Sequence, residues 1–277
     1  MKKWNAKLAA GLAIIAVMAF VALFGPYAAP YKMNDIRFEP WLHPSFRHLL
    51  GTDSYGQDVF SQLIYGTRTS FLVGLLAGLM TTVIGVAVGL TAGFYRGWAS
   101  DGLMFIVDLL LILPLLALMI IMAAFLPQMG VANIILVIGL LSWLHMARSI
   151  RSQTLSERQR GYVEAAKGIG MSNLSIMVKE ILPNLFPIIL ANLVSVTTQA
   201  VLAEAGLSFL GIGDPKSVSW GTILSLAFTN NAIMFDAWWW IIPPGIAMAL
   251  FCFGFILLGN GVLEQYRFKR GASRQFT

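Results

Sequence analysis

The chain contains a succession of long apolar runs, and these runs restrict its fold more than any other feature. The run from Thr69 to Tyr95 carries no charged residue and is longer than the roughly 20 residues that an α-helix needs to cross a bilayer. Charged residues make up 12% of the 277-residue chain, against about 25% in soluble domains. The sequence therefore predicts an all-α integral membrane protein.

Six apolar runs predict six transmembrane helices with both termini on the cytoplasmic side. Of the 19 Lys and Arg residues, this orientation leaves outside only Lys32, Arg37, Arg47, Arg68 and Lys216. The excess of cations inside follows the positive-inside rule. The predicted spans are Leu8–Phe24, Thr69–Tyr95, Gly102–Leu126, Val131–Ala147, Leu185–Ile212 and Ala237–Leu263.

The spans divide the chain into four segments. An N-terminal transmembrane helix takes up residues 1–25, and residues 26–68 form an extracytoplasmic loop with a short interfacial helix. A five-helix core follows over residues 69–263, with a polar cytoplasmic loop at 151–183, and a cytoplasmic tail ends the chain at 264–277. The first run could instead be a signal peptide, but it exceeds the roughly 7–15 residues of a typical signal core, which favours an uncleaved span.

The polar loop predicts two amphipathic helices joined by a glycine turn. Gly170 suits the left-handed residue that ends a helix, Ser172 suits an N-cap, and Pro183 is expected to stop the second helix. Charges of alternating sign lie opposite the first apolar stripe, at Glu157, Arg160, Glu164 and Lys167. The apolar stripes comprise Leu155, Tyr162, Ala166 and Ile169 before the turn, and Leu174, Met177, Val178, Ile181 and Leu182 after it.

This loop resembles the "EAA" loop of the membrane subunits of binding-protein-dependent ABC importers. The resemblance rests on Glu164-Ala165-Ala166, Gly170 and Leu182-Pro183, although Glu180 stands where that pattern has Ile. It implies that the loop is a coupling helix that docks on an ATPase subunit. The alternative is a helical hairpin on the membrane surface without a partner. The implied coupling residues are Tyr162, Glu164, Ala165, Ala166, Gly170, Leu182 and Pro183.

A second resemblance lies in the outer segment, where residues 48–70 are similar to the corresponding run of dipeptide, oligopeptide and nickel permeases of the C type. Gln57 and Gln62 replace two arginines of that pattern. Asp58 is predicted to cap the short interfacial helix. His48, Asp53 and Asp58 could be read as metal ligands, but carboxylates beside glycines more often serve as caps and turn residues, so no metal site is expected.

These resemblances imply the membrane subunit of an ATP-driven solute importer with the type I ABC importer fold, located in the plasma or inner membrane. The implied partners are a second, different permease subunit, two ATPase subunits and an extracytoplasmic solute-binding protein. The sequence has no phosphate-binding Gly-x-x-x-x-Gly-Lys-Ser/Thr motif, so the chain is not expected to be an enzyme or to hold a cofactor. The basic residues flank apolar runs, which gives no indication of nucleic-acid binding.

Two acidic residues lie inside predicted spans and leave several interpretations open. Asp108 and Glu204 could line a translocation path, form hydrogen bonds between helices, or relay protons in a secondary transporter. Gly211-Ile212-Gly213-Asp214 also matches the Gly-x-Gly-Asp signature of intramembrane aspartyl proteases, with Asp108 as the second carboxylate. The surrounding sequence resembles the permeases, which makes the protease a remote alternative. The transported substrate is not indicated.

Overall fold

The structure is a computed structural model that describes residues 6–95, 97–126 and 130–273. Lys2, Lys3, Arg96 and Arg274, which the topology places inside, and most of the outer turn before Gly130 lie outside these residues. Helices dominate the described part of the chain. They are α1 (Ala6–Ala28), α2 (Val59–Phe94), α3 (Trp98–Ile112), α4 (Leu115–Ala124), α5 (Val131–Glu157), α6 (Gly161–Gly168), α7 (Asn173–Ser175), a π-helical segment (Ile176–Ile181), α8 (Leu182–Phe209), α9 (Trp220–Thr229) and α10 (Trp238–Ser273).

The third predicted span is broken rather than straight. Helices α3 and α4 meet at an angle of 92°, and the break lies at Leu113 and Pro114, both with extended backbone angles. Proline has no N–H to continue the helical ladder, and it disfavours helical angles in the residue before it. The described chain has five helices long and apolar enough to cross a membrane, and six when the bent pair counts as one span.

Helix α2 lies at the centre of the bundle, where its glycines allow close packing. A Cβ atom at Gly78 would lie 2.4 Å from the hydroxyl oxygen of Thr197 on α8, and one at Gly89 would lie 2.5 Å from the carbonyl oxygen of Ala147 on α5. Gly74 faces α8 in the same way, and Gly85 and Gly93 face α5. The recurring glycines therefore let two neighbouring helices approach α2 from different sides.

The first and last helices pack together with their cytoplasmic ends adjacent. A Cβ atom at Gly11 on α1 would lie 2.5 Å from the backbone nitrogen of Leu258 on α10. Near the beginning of α1, Lys7 forms an ion pair with Glu264 near the end of α10. The two ends therefore lie on the same side of the bundle, as the predicted topology requires, and α1 packs as a helix of the fold.

The short interfacial helix expected before the second span is not a separate element. Asp58 caps α2 as predicted, and its carboxylate accepts hydrogen bonds from the backbone nitrogen and hydroxyl of Ser61 at 2.8 and 2.7 Å. From Val59 the helix continues without a break for 36 residues to Phe94. The predicted interfacial helix thus corresponds to the outer end of α2.

Candidate functional site

The cytoplasmic loop begins where α5 extends past the predicted end of the fourth span. Helix α5 continues to Glu157, and a short turn leads to α6. Gly170 then has a φ of +81°, and the backbone nitrogens of Gly170 and Met171 donate to the carbonyls of Lys167 and Ala166. This hydrogen-bond pattern is a Schellman motif. The predicted glycine turn is therefore present.

The second half of the loop differs from the prediction, because Pro183 does not stop the helix. Ser172 caps a short turn as expected, accepting from the backbone nitrogen of Ser175, but the helical chain then continues through a π-helical segment into α8. The backbone nitrogen of Leu182 donates to Met177, five residues earlier. The π-helical turn changes the backbone hydrogen-bond pattern directly before the proline. Pro183 therefore stands in the first turn of α8, where its missing N–H costs little.

One face of the loop is anchored in the protein. Val163 and Ala166 of α6 and Ile176 of the π-helical segment are buried in a cluster with Leu90 and Ile150 from the ends of α2 and α5. This cluster fixes the loop on the cytoplasmic ends of the spans. Apolar burial of this kind stabilises by about 1.5–3 kcal/mol for each fully buried side chain.

The opposite face is exposed and carries part of the predicted apolar stripes. Ile169 is 80% exposed and Leu174 is 66% exposed, and Val178 is also exposed. Within the single chain, these three residues are therefore not buried with the rest of the stripe. Periodicity identifies apolar positions but does not distinguish a face buried in the same chain from one left outside.

A polar network fixes α6 relative to α5 and α8. The Tyr162 hydroxyl donates to Glu157 Oε2 at 2.8 Å and accepts from the Asn184 amide at 3.3 Å. Arg160 forms an ion pair with the same Glu157 oxygen at 3.0 Å. Burial and the neighbouring Glu157 carboxylate raise the pKa of Tyr162 to about 12. The phenol therefore keeps its proton, and its role as a donor, throughout the physiological pH range.

The end of α2 also contacts this loop through the ring of Phe94. Lys167 Nζ on α6 lies 5.6 Å from the ring centroid, and the guanidinium carbon of Arg158 lies 5.7 Å from it. Both distances are within the range of cation–π contacts. Helix α2 is thus linked directly to α6. Phe94 and Asn184 could not be recognised from the sequence, since their contacts join residues far apart in the chain.

The predicted coupling residues occupy different positions on the loop. Glu164, Ala165 and Pro183 are exposed, and Gly170 forms the exposed turn. Tyr162 and Leu182 are partly buried, and Ala166 is buried. The set therefore combines residues that anchor the loop with residues that face the cytoplasm.

The two acidic residues inside spans have unlike surroundings. Asp108 on α3 is half-exposed, and its carboxylate lies 3.4 Å from the Arg148 guanidinium on α5. Glu204 on α8 is 1% exposed, and its carboxylate accepts from the hydroxyls of Ser208 at 2.7 Å and Ser70 at 3.2 Å. Glu204 therefore joins α8 to α2, as in the helix-packing interpretation.

The polar residues of the outer segment form turns and caps. His48 Nδ1 lies 2.9 Å from Asp58, and Asp53 accepts from the backbone nitrogens of Tyr55 and Gln57 at 2.8 Å each. Among the described residues, no group of three or more metal-ligating side chains is suited to hold an ion.

The two departures from the permease pattern contact each other in this segment. The Gln62 amide donates to Gln57 at 2.7 Å and also to the Asp53 carboxylate at 2.7 Å. The glutamines therefore keep the carboxylate hydrogen-bonded without supplying a positive charge. Burial raises the pKa of Asp53, although the hydrogen bonds that it accepts act in the opposite direction.

Comparisons with known proteins place this architecture in a class. A chain of the methionine ABC transporter MetNI, in an inward-facing conformation, superposes with a TM-score of 0.58 at 18% identity, covering 73% of this chain and 96% of the other. The fold is that of the membrane-spanning subunit of a type I ABC importer. The chain belongs to the family described as "binding-protein-dependent transport system inner membrane component", which matches residues 85–265.

Two curated relatives agree with the family assignment. A putative peptide transport system permease protein of Brucella suis is 34% identical over 92% of this chain and 85% of its own length. The oligopeptide transport system permease protein OppC of Mycobacterium bovis is 34% identical over 94% of this chain and 89% of its own. These matches confirm the predicted family and membrane location. They favour the importer family over the secondary-transporter and aspartyl-protease alternatives.

Proposed function

We propose that the chain forms half of the translocation path of an ATP-driven peptide importer, and that its cytoplasmic loop couples the path to ATPase subunits. Peptides are proposed because the relatives named above are peptide and oligopeptide permeases. The partners are then a second permease subunit, two ATPase subunits and an extracytoplasmic solute-binding protein.

The observation that carries the coupling role is the two-sided construction of the loop. Its inner face is anchored in a buried cluster with the ends of α2 and α5, while its outer face leaves Ile169 and Leu174 largely exposed. An apolar patch beside charged residues is typical of a protein-binding surface. A partner that binds Glu164, Ile169 and Leu174 would move the ends of α2, α5 and α8 as one unit.

The place of the path is suggested by the Asp108–Arg148 pair. Both side chains are more than half exposed at the surface of the single chain, although Asp108 lies inside a predicted span and Arg148 directly follows the predicted end of the fourth span. Exposure of charges to lipid is costly, and such residues normally face a bundle interior or water. We therefore place the surface with Asp108 and Arg148 on the side of the second permease subunit, along the path. Glu204, which was also considered for the path, fits a packing role better because it is buried.

Cross-linking tests the coupling role directly. In a variant with Cys252 replaced by Ser, Ile169→Cys should form a cross-link to an ATPase subunit in native membranes. Phe46→Cys, exposed on the outer segment, is the matched control and should not. If Ile169→Cys captures no ATPase while the assembled importer is present, the coupling proposal is wrong.

A charge reversal tests the same surface by function. Glu164→Lys should lower ATP-dependent peptide uptake by the reconstituted importer about tenfold or more, because an unfavourable charge contact costs several kcal/mol and about 1.4 kcal/mol corresponds to a factor of ten. Gln159→Lys adds a lysine to the exposed turn before α6 and should have little effect. Normal uptake by Glu164→Lys would contradict the proposal.

A further inference from the structure

A cavity of about 420 Å³ lies at the outer end of the molecule, between the outer segment and the turn that follows α8. Tyr55 and Gln57 line it from the outer segment, Asp214 lines it from the turn, and Ser208 and Thr222 line it from α8 and α9. Its volume is within the range of about 300–1,000 Å³ that is usual for small-molecule pockets. It is distinct from the cytoplasmic loop and from the Asp108–Arg148 surface.

Among the described residues that line this cavity, Asp214 is the one with a charged side chain. One oxygen of the Asp214 carboxylate accepts a hydrogen bond from the backbone nitrogen of Lys216 at 2.8 Å. Ser208, a lining residue, donates to the buried carboxylate of Glu204. In the part of the chain that the structure describes, no Lys, Arg or His side chain lines the cavity, and no cation pairs with Glu204 or Asp214 within 4.0 Å.

A helix N-terminus beside the cavity could also attract an anion, but its first turn is already capped. Helix α9 begins beside the cavity, and the N-terminus of a helix favours negative groups. Its first turn is closed by a capping box, in which Ser219 and Thr222 each accept from the backbone nitrogen of the other. The cavity therefore offers hydroxyl, amide and carboxylate acceptors to a positively charged donor. Its described lining has no cation that could pair with the carboxylate of a ligand.

We infer that this cavity receives a primary ammonium group of the transported solute, namely the free N-terminus of a short peptide, with Asp214 as its counter-charge. The inference rests on the proposed import of peptides and adds the chemical group that the outer end of this subunit recognises. An ammonium group can donate three hydrogen bonds, and Asp214, Tyr55 and Gln57 supply acceptors around one space. A charge-assisted hydrogen bond to Asp214 makes the contact selective for a free amino terminus.

The experiment compares one peptide with its N-acetylated form in ATP-dependent uptake by the complete reconstituted importer. Asp214→Asn should raise the KM for the free peptide about tenfold, the factor that corresponds to one charged contact of about 1.4 kcal/mol. The KM for the acetylated peptide should not change. Glu39→Gln, which removes an exposed outer carboxylate that does not line the cavity, is the matched control and should leave both KM values unchanged.

A second variant keeps the inference testable if Asp214→Asn fails to assemble. Ser217→Lys places a cation in the wall of the cavity and should produce the same selective loss for the free peptide. An unchanged KM for the free peptide in either assembled variant overturns the inference. An equal loss for both peptides also overturns it, and would indicate that the cavity instead receives a lysine of the binding protein. Absence of ATP-dependent peptide uptake by the unsubstituted importer would instead contradict the proposed function itself.

Discussion

The outer segment and the cytoplasmic loop differ in the contacts that chiefly stabilise them. The outer segment, residues 29–58, has little regular structure and depends on buried hydrogen bonds around Thr52, Asp53 and Asp58. The cytoplasmic loop, residues 158–181, is largely helical and is held on one side, chiefly by an apolar cluster and in addition by the hydrogen bonds of Tyr162. Polar networks specify one geometry, because a partly satisfied network is costly. The comparison indicates a fixed outer surface and an inner surface that leaves one face free for a partner.

The largest expected difference between the two regions is in the cost of replacing a glycine that has left-handed backbone angles. Gly56 has a φ of +73°, and a Cβ atom there would lie 2.1 Å from the carbonyl oxygen of Phe38, whereas Gly170 has a φ of +81° with no atom within 4 Å of a Cβ. Gly170→Ala should cost about 1 kcal/mol from backbone strain alone. Gly56→Ala should cost about 1–3 kcal/mol more from the steric clash.

Thermal unfolding of the purified chain in detergent measures both substitutions. A loss of 1 kcal/mol lowers the Tm of a domain of 150–250 residues by about 2–4 °C. The shift for Gly56→Ala should therefore be at least twice that for Gly170→Ala. Equal shifts would mean that the outer segment adapts as freely as the loop, and the contrast between the two regions would be lost.

Tyr162 tests the polar network of the loop. Tyr162→Phe removes the donor to Glu157 and the acceptor for Asn184, and should lower the free energy of unfolding by about 1–2 kcal/mol. Because the pKa of Tyr162 is raised to about 12, its stabilising effect is full below pH 10 and is lost only as the pH rises through 12. The Tm difference from the unsubstituted chain should therefore be constant between pH 6 and 9. Tyr27→Phe, at an exposed position on α1, is the control.

Asp53 should give the outer segment a pH dependence. Burial raises its pKa above 3.8, so the folded state binds the proton more tightly than the unfolded state. Its contribution to stability is full below pH 3.8 and is lost as the pH rises through the folded pKa. The Tm of the unsubstituted chain should therefore fall, relative to Asp53→Asn, between pH 4 and 7. A relative rise would show that the hydrogen bonds to the ionised carboxylate outweigh its burial.

The smallest effect is expected at Lys167. Lys167→Gln removes the cation–π contact with Phe94, which at an exposed position contributes about 0.5–1 kcal/mol. The Tm should fall by no more than a few degrees. Lys179→Gln, an exposed lysine on the π-helical segment, is the control for loss of charge. If Lys167→Gln lowers the Tm as much as Gly56→Ala does, polar contacts hold the loop more firmly than the apolar cluster suggests.

The sequence was sufficient to predict the local elements whose causes are local. The spans follow from runs of apolar residues, the α2 cap follows from Asp58, and the turn follows from Gly170. Helix continuity was harder to predict, because Pro114 breaks a span while Pro183 does not. A π-helical turn lies directly before Pro183, whereas the backbone at Leu113 and Pro114 is extended.

The candidate site was predicted in position but not in detail. The motif around Glu164 and Gly170 located the loop, yet Glu157, Phe94 and Asn184 were not recognised as its supports. Their contacts depend on where three helices end relative to one another, and neither periodicity nor spacing gives that information. For the same reason, the exposure of Ile169 became apparent only from the structure.

The unbroken course of α2 has a mechanical consequence. Its outer end is capped by Asp58 within the hydrogen-bonded outer segment, and its inner end, Phe94, touches the loop. With 36 residues at about 1.5 Å of rise each, it is a rod about 54 Å long, so each degree of tilt about one end displaces the other by about 1 Å. A small rotation of α2 at its cytoplasmic end would therefore displace its outer end by ångströms, because the helix has no break between them.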